Sequence, residues 1–286
     1  MANGMDFRSQ AEPAKTRLRW FAGGVPMSMH RAPRRAFREP GWRAALAQVP
    51  GRVAFAVVML ILGLSFLTAS VVGGVLAVLL PARMRSPTGR AIMRRGFQFC
   101  IGVMRATGYC HFDLGALDPL RDARGIVIAP NHPTLFDVVL IVSRVPNVVC
   151  VTKAESWHNP LLGGMIRLAG FIRNDAPLPL IRRAAAELRA GSNLLIFPEG
   201  TRTPLGVPLG PFMPGFALMA KVARAPIQTV FLDDTTPYLR KGWPLLRQPP
   251  LPLHYRARLG RQFMPDAEPV ARLVATLDAY YRDELP

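Results

Sequence analysis

No charged residue interrupts the chain between Val53 and Leu80, and this run limits the possible folds more than any other stretch. As a straight helix it would measure about 42 Å at 1.5 Å per residue, against a bilayer hydrocarbon core of about 30 Å. That is enough for one tilted span and too little for two. Arginines crowd both flanks: Arg34, Arg35, Arg38, Arg43 and Arg52 before the run, Arg83, Arg85, Arg90, Arg94 and Arg95 after it. Positive flanks stay on the cytoplasmic side of a membrane, so both ends belong there. A single span cannot satisfy that condition, whereas a short re-entrant hairpin turning near Gly73-Gly74 does. The pattern therefore favours a half-inserted, monotopic element over a single span. The run is also too long for an ordinary core helix of a soluble domain.

Charge points the same way. Lysine and arginine number 36 against 18 acidic residues, a net charge of +18, which favours an anionic partner, either nucleic acid or an acidic membrane surface. The positive mean hydropathy and the uncharged run decide for the membrane. No RNA-recognition, KH or zinc-finger pattern interrupts the basic stretches, so nucleic acid is not an expected partner. Residues 1–50 are rich in Arg, Ala, Pro and Gly without a sustained apolar period, and read as a basic, disordered arm. Met27 or Met29 is an alternative start, and the apolar run begins too far along for a cleaved signal. Cys100, Cys110 and Cys150 form no CxxC pair, which suits a reducing compartment. Cys150, inside the apolar run Val148 to Val151, reads as a buried structural thiol.

From about residue 100 the pattern changes to alternating strands and helices. Strands are expected at Ile126 to Ala129, Val148 to Thr152, Leu194 to Phe197 and Ile227 to Leu232. Helices are expected after His132, from Leu180 to Ala190 with Gly191 as its stop, and from Phe212 to Arg224. Such alternation predicts an α/β fold with a mostly parallel sheet flanked by helices, preceded by the N-terminal membrane-embedded helical element. Leu253 to Leu259 alternates and reads as an edge strand; Val270, Leu273, Val274 and Leu277 mark a last amphipathic helix. The expected division is a basic arm (1–50), a membrane-associated helical segment (51–99) and a catalytic domain (100–286).

Two polar turns follow buried strands, which is where open α/β proteins place their chemistry. Asn131-His132-Pro133 breaks the first strand, and Asp137 follows five residues after the histidine. If His132 lies in the turn and Asp137 in the first helical turn, the carboxylate can hold one ring nitrogen and raise the basicity of the other. A satisfied turn histidine would look the same in sequence. The second turn is Phe197-Pro198-Glu199-Gly200-Thr201-Arg202. Gly200 permits close backbone approach, Thr201 offers a hydroxyl, and Arg202 a planar fork suited to phosphate. Glu199 could orient that arginine or accept from a ligand hydroxyl; a loop with one surface ion pair is the plainer alternative. No GxSxG elbow and no HExxH signature occurs, and Cys150 with His158 is the only thiol candidate for a covalent mechanism.

Together, and in this order, the two turns resemble the 1-acylglycerol-3-phosphate (lysophosphatidate) acyltransferase family of the glycerolipid acyltransferases. The NHxxxxD block matches at Asn131, His132 and Asp137, and the FPEGTR block at every position from Phe197 to Arg202. Lys153 in VTKAE, Gly170-Phe171-Ile172 and Ala225-Pro226-Ile227 add to a likeness covering about residues 100 to 235. The resemblance implies transfer of a fatty acyl group from acyl-CoA or acyl-carrier protein to a lysolipid hydroxyl in the cytoplasmic membrane, with His132 as general base and Asp137 orienting it. Attack is direct, so no metal, cofactor or acyl-enzyme is implied. Glu199, Gly200, Thr201 and Arg202, with Asn131, Lys153 and Arg173, would hold the acceptor. Two departures bear on which acceptor that is. The block after Gly170 is shortened, leaving Arg173 as the counterpart of the family's arginine, and Pro204, Pro208, Pro211 and Pro214 replace a more basic stretch.

Overall fold

Pro81 ends the long apolar run. In the computed structural model, which describes residues 49–285 apart from 205, 235, 237, 266 and 267, helix α1 (Val49–Leu79) is followed at once by helix α2 (Ala82–Ala106). Proline has no N–H to donate and pushes the residue before it out of the helical region, so the chain turns at Leu80-Pro81. The turn expected at Gly73-Gly74 is therefore corrected: both glycines lie inside one continuous helix. Gly73 serves packing instead. A Cβ there would stand 2.6 Å from Met165 Sδ and 2.9 Å from the Gly164 carbonyl carbon, so glycine lets α1 approach that backbone. At the same crossing Ser70 Oγ accepts a hydrogen bond from the Gly164 N–H at 2.9 Å. The basic arm expected over residues 1–50 lies outside the described residues, except for its last two, which open α1.

Helix α1 is about 46 Å long. Among the described residues it is the one helix long and apolar enough to cross a bilayer. Its buried residues, Phe55, Val58, Leu62, Ser70 and Gly73, recur at helical spacing, while Val53, Leu60, Leu64, Val71, Val75 and Val78 are exposed. The buried stripe runs along most of the helix. Phe55 meets Tyr109 and Tyr238, and Phe66 meets Phe97 edge-on.

Helix α2 buries Met93, Phe97, Cys100, Ile101 and Met104. Its Arg90, only 7% exposed, donates to Ala169 O, Asn147 Oδ1 and Ser192 Oγ and pairs with Glu187 at 2.9 Å. The boundary expected between residues 99 and 100 thus falls inside a helix bolted to the α/β domain.

The chain continues through β1 (Cys110–Asp113), a short 3-10 helix (Gly115–Arg121), β2 (Val127–Pro130), α3 (Asp137–Arg144), β3 (Val148–Thr152), α4 (Ala154–His158), α5 (Gly163–Leu168) and β4 (Ile172–Arg173). Then come α6 (Pro177–Arg189), β5 (Asn193–Leu195), α7 (Gly215–Ala223), β6 (Ile227–Asp234), β7 (Leu253–Phe263) and α8 (Val270–Glu284). The strands form one seven-stranded sheet in the order β1-β7-β6-β2-β5-β3-β4. From β6 to β4 all neighbours are parallel; β7 runs antiparallel to β6 and parallel to β1. All four residues of β2 are buried, as a strand covered on both faces requires. Ile128 joins the core that holds Phe97, Met104 and Leu140, whereas Val127 and Ala129 join the core of Leu188, Phe216 and Leu277. The edge position expected for Leu253 to Leu259 is corrected, because β1 pairs along the start of β7 and takes the edge. Four residues, Cys-His-Phe-Asp, are too few to announce a strand by periodicity.

Candidate active site

Because β6, β2, β5, β3 and β4 are parallel, their C-terminal ends lie along one side of the sheet. The turn after β2 stands near the middle of that row, with the turn after β5 beside it. Asp137 is the first residue of α3, where the positive end of the helix dipole favours a carboxylate. It is fully buried and accepts three hydrogen bonds: from His132 Nδ1 at 2.8 Å, from the Thr134 N–H at 2.9 Å and from Thr134 Oγ1 at 2.6 Å. A carboxylate facing Nδ1 selects the tautomer with the proton on that nitrogen. Nε2 is then the ring atom able to accept a proton. Pro133 stays in the turn and does not open the helix.

The second turn fixes the first from behind. Glu199 is 5% exposed, and its Oε1 accepts from the His132 backbone N–H and from Thr203 Oγ1, each at 2.9 Å. Its Oε2 accepts from the Gly210 N–H at 2.8 Å. The Thr203 N–H donates to the His132 carbonyl at 2.7 Å. Both main-chain groups of His132 are thereby held by the loop that follows β5. Phe197 completes the cradle, its ring stacked on the imidazole with centroids 3.7 Å apart and planes 15° from parallel.

Several side chains expected to hold a substrate have other work. Glu199 neither orients Arg202 nor faces outward, since its carboxylate is spent on the two turns. Asn131 is buried and clamps Leu232 of β6, donating to its carbonyl at 3.0 Å and accepting from its N–H at 2.7 Å. β2 ends at Pro130 opposite Val230, so on that side the Leu232 backbone needs another partner, and Asn131 supplies it. Gly200 sits at φ +65°, where glycine is the natural occupant, and Met213 lies 3.3 Å from where its Cβ would be. Thr201 and Arg202 are partly exposed, and Arg202 Nη1 donates to Leu239 O at 2.9 Å. Lys153 is exposed just past β3. Arg173 closes β4, three strand spacings or about 14 Å from β2. It pairs with Asp175 and lies over Trp157 at 5.5 Å, so the fold does not bring it to His132. Thr134 and Thr203 escaped the sequence reading, as did the stacking of Phe197 on His132; a threonine two residues after the histidine is the one signal that could have named the first.

Burial pushes the Cys150 thiol up to about 12, so it stays protonated near neutral pH and is no nucleophile.

The site is thus a turn histidine with a buried aspartate partner on a mostly parallel sheet. The acyltransferase family model matches residues 111–233. A 1-acyl-sn-glycerol-3-phosphate acyltransferase of Cocos nucifera is 33% identical over 172 residues, covering 58% of this chain and 55% of that one. The enzyme of the same name from Pseudomonas aeruginosa is 25% identical over 174 residues, 59% and 66% of the two chains. A lyso-ornithine lipid O-acyltransferase of the same bacterium is 37% identical over 115 residues, covering 37% of this chain and 43% of that one. Among solved structures, the 1-acyl-sn-glycerophosphate acyltransferase PlsC of Thermotoga maritima shares the fold with a TM-score of 0.57 at 19% identity, over 79% of this chain and 93% of its own. Over these stretches the chain is similar to 1-acylglycerol-3-phosphate acyltransferases. It spans about half the length of several of the curated relatives it matches.

Proposed function

We propose that this chain transfers a fatty acyl group from a thioester donor, acyl-CoA or acyl-carrier protein, to the free hydroxyl of a lysophospholipid, with 1-acylglycerol-3-phosphate as the acceptor. The observation that carries this reading is the 2.8 Å contact between His132 Nδ1 and the buried Asp137. His132 Nε2 takes the proton of the acceptor hydroxyl as its oxygen attacks the thioester carbonyl. The tetrahedral adduct collapses, the C–S bond breaks, and the leaving thiolate takes the proton back from His132. The products are an ester and a free thiol, and no group on the protein is acylated. Arg202 and Thr201, in the turn after β5, hold the acceptor's phosphate, with Lys153 approaching from the end of β3.

The site works at a membrane, with α1 presenting its exposed face to lipid. Arg83, Arg85 and Arg95, all exposed on α2, keep the catalytic side in the cytoplasm. Protease accessibility of both flanks of α1 from the same side of sealed vesicles supports this orientation; access from opposite sides overturns it.

A second acceptor has its own support. The lyso-ornithine lipid enzyme is the most identical of the relatives named above over its matched stretch, and the blocks that depart from the family pattern lie around Arg173 and after Arg202. Acyl transfer from labelled acyl-CoA and acyl-carrier protein to lysophosphatidate and to lyso-ornithine lipid, with His132→Ala alongside, tests both. Product with lysophosphatidate, lost in the variant, is the expected result. Product with the ornithine lipid alone moves the acceptor and keeps the mechanism. No product from folded protein with either donor overturns the catalytic reading.

A further inference from the structure

The chain between β6 and β7 carries a feature that acyl transfer leaves unused. Residues 238–248 read YLRKGWPLLRQ, with Arg240, Lys241 and Arg247 and no acidic residue. Leu245 and Leu246 stand side by side at 55% and 76% exposure. An isolated exposed leucine needs no explanation, but two adjacent ones beside a tryptophan form a patch. Trp243 braces the tip: its Nε1 donates to Arg247 O at 3.0 Å, and the Arg247 guanidinium lies over its ring at 5.1 Å.

This tip is seated next to α1. Trp243 meets Tyr238 edge-on at 6.3 Å, Tyr238 meets Phe55 at 6.1 Å, and the Tyr238 hydroxyl contacts Met59 Sδ at 3.4 Å. On the same stretch of α1, Val53, Val57 and Leu60 are exposed. An apolar tip, a half-buried tryptophan and flanking cations are the composition of a segment at the membrane–water boundary. Lys241 and Arg247 give it the charge that acidic headgroups attract.

We infer that residues 238–248 form a second membrane contact, inserting Leu245 and Leu246 into the boundary of an acidic bilayer beside the N-terminal half of α1. The inference rests on the membrane association of α1 proposed above. The base of this loop reaches the candidate site. Leu239 O accepts from the Leu135 N–H at 3.0 Å, within the turn between His132 and Asp137, and from Arg202 Nη1 at 2.9 Å. Leu239 itself sits at φ +60°, an unusual conformation for a leucine that its surroundings must maintain. The segment that carries the lipid-contacting tip is thus hydrogen-bonded at its base to the arginine assigned to the acceptor's phosphate.

The native cysteines are all buried, so an environment-sensitive fluorophore attached through Leu246→Cys reports that position, and one through Val57→Cys reports α1. Each labelled full-length protein is mixed with phosphatidylcholine–phosphatidylglycerol vesicles containing brominated acyl chains. Quenching and a blue shift at both positions are expected. Quenching at Val57 with the Leu246 label still open to aqueous iodide overturns the loop contact and leaves α1 on the membrane. No quenching at either position overturns both. In a second measurement, the double variant Leu245→Ser with Leu246→Ser partitions about tenfold more weakly onto the same vesicles at unchanged thermal stability. Unchanged partitioning overturns the inference. Neither readout involves turnover, so a failure of the acyl-transfer reading remains separate.

Discussion

The turns after β2 and β5 occupy equivalent places on neighbouring parallel strands, yet they spend their polar groups differently. In the first, Asp137 and Thr134 fix one nitrogen of His132 and leave the other for chemistry. In the second, the conspicuous carboxylate of Glu199 is consumed by main-chain and hydroxyl donors, two of them from outside its own turn. One turn carries the group proposed to react and the other is largely the frame that holds it. A motif residue can therefore serve the frame of a site, because buried acceptors must be paired and pairing fixes geometry.

That contrast can be broken by measurement. His132→Ala should lower kcat by about 10³-fold with the protein still folded, since it removes the proton acceptor itself. Near-parent turnover would move the chemistry elsewhere. Asp137→Asn keeps the shape but offers an amide in place of a carboxylate oxygen. We expect kcat lower by about 10²-fold and little change in KM for the acceptor. Glu199→Gln should behave differently, costing about 2 kcal/mol of stability through a lost acceptor at a buried site, visible as a lowered Tm. A raised acceptor KM at unchanged Tm would place Glu199 at the substrate and erase the difference between the turns. Arg202→Lys loses the planar fork, and an acceptor KM raised about tenfold with kcat preserved is expected. The smallest effect belongs to Cys150: its thiol, pushed up to about 12, should resist alkylation near pH 8 and leave activity unchanged until the protein is unfolded.

Five of the seven strands and both turns are legible because their signals are local, whereas β1 and β4 are too short to carry a period. A fully apolar run such as Val127 to Ala129 makes a covered strand, and a polar break after it makes a turn, whatever surrounds them. Val148 to Thr152 was read at both ends as the structure has it. The pairing of His132 with Asp137 followed from placing one residue in a turn and the other in the first turn of a helix. The partners of Glu199 and Asn131 were not legible. His132 lies 67 residues from Glu199 and Leu232 lies 101 from Asn131, and no spacing rule reaches that far. The site of the N-terminal turn was misread for a related reason. Glycine is a turn former in isolation, but Gly73 faces the Gly164 backbone, and the proline at 81 had the stronger claim.

By itself, then, the sequence determined the class of fold, five of its seven strands, the pairing of His132 with Asp137 and the apolar character of α1, all set by propensity, periodicity and short spacings. Only the tertiary structure decided that Glu199 holds the histidine turn, that Arg173 stands apart, that β1 takes the edge from β7, and that α1 packs along the α/β domain. Those outcomes depend on which donors meet which acceptors once distant segments pack, and packing is a property of the whole chain.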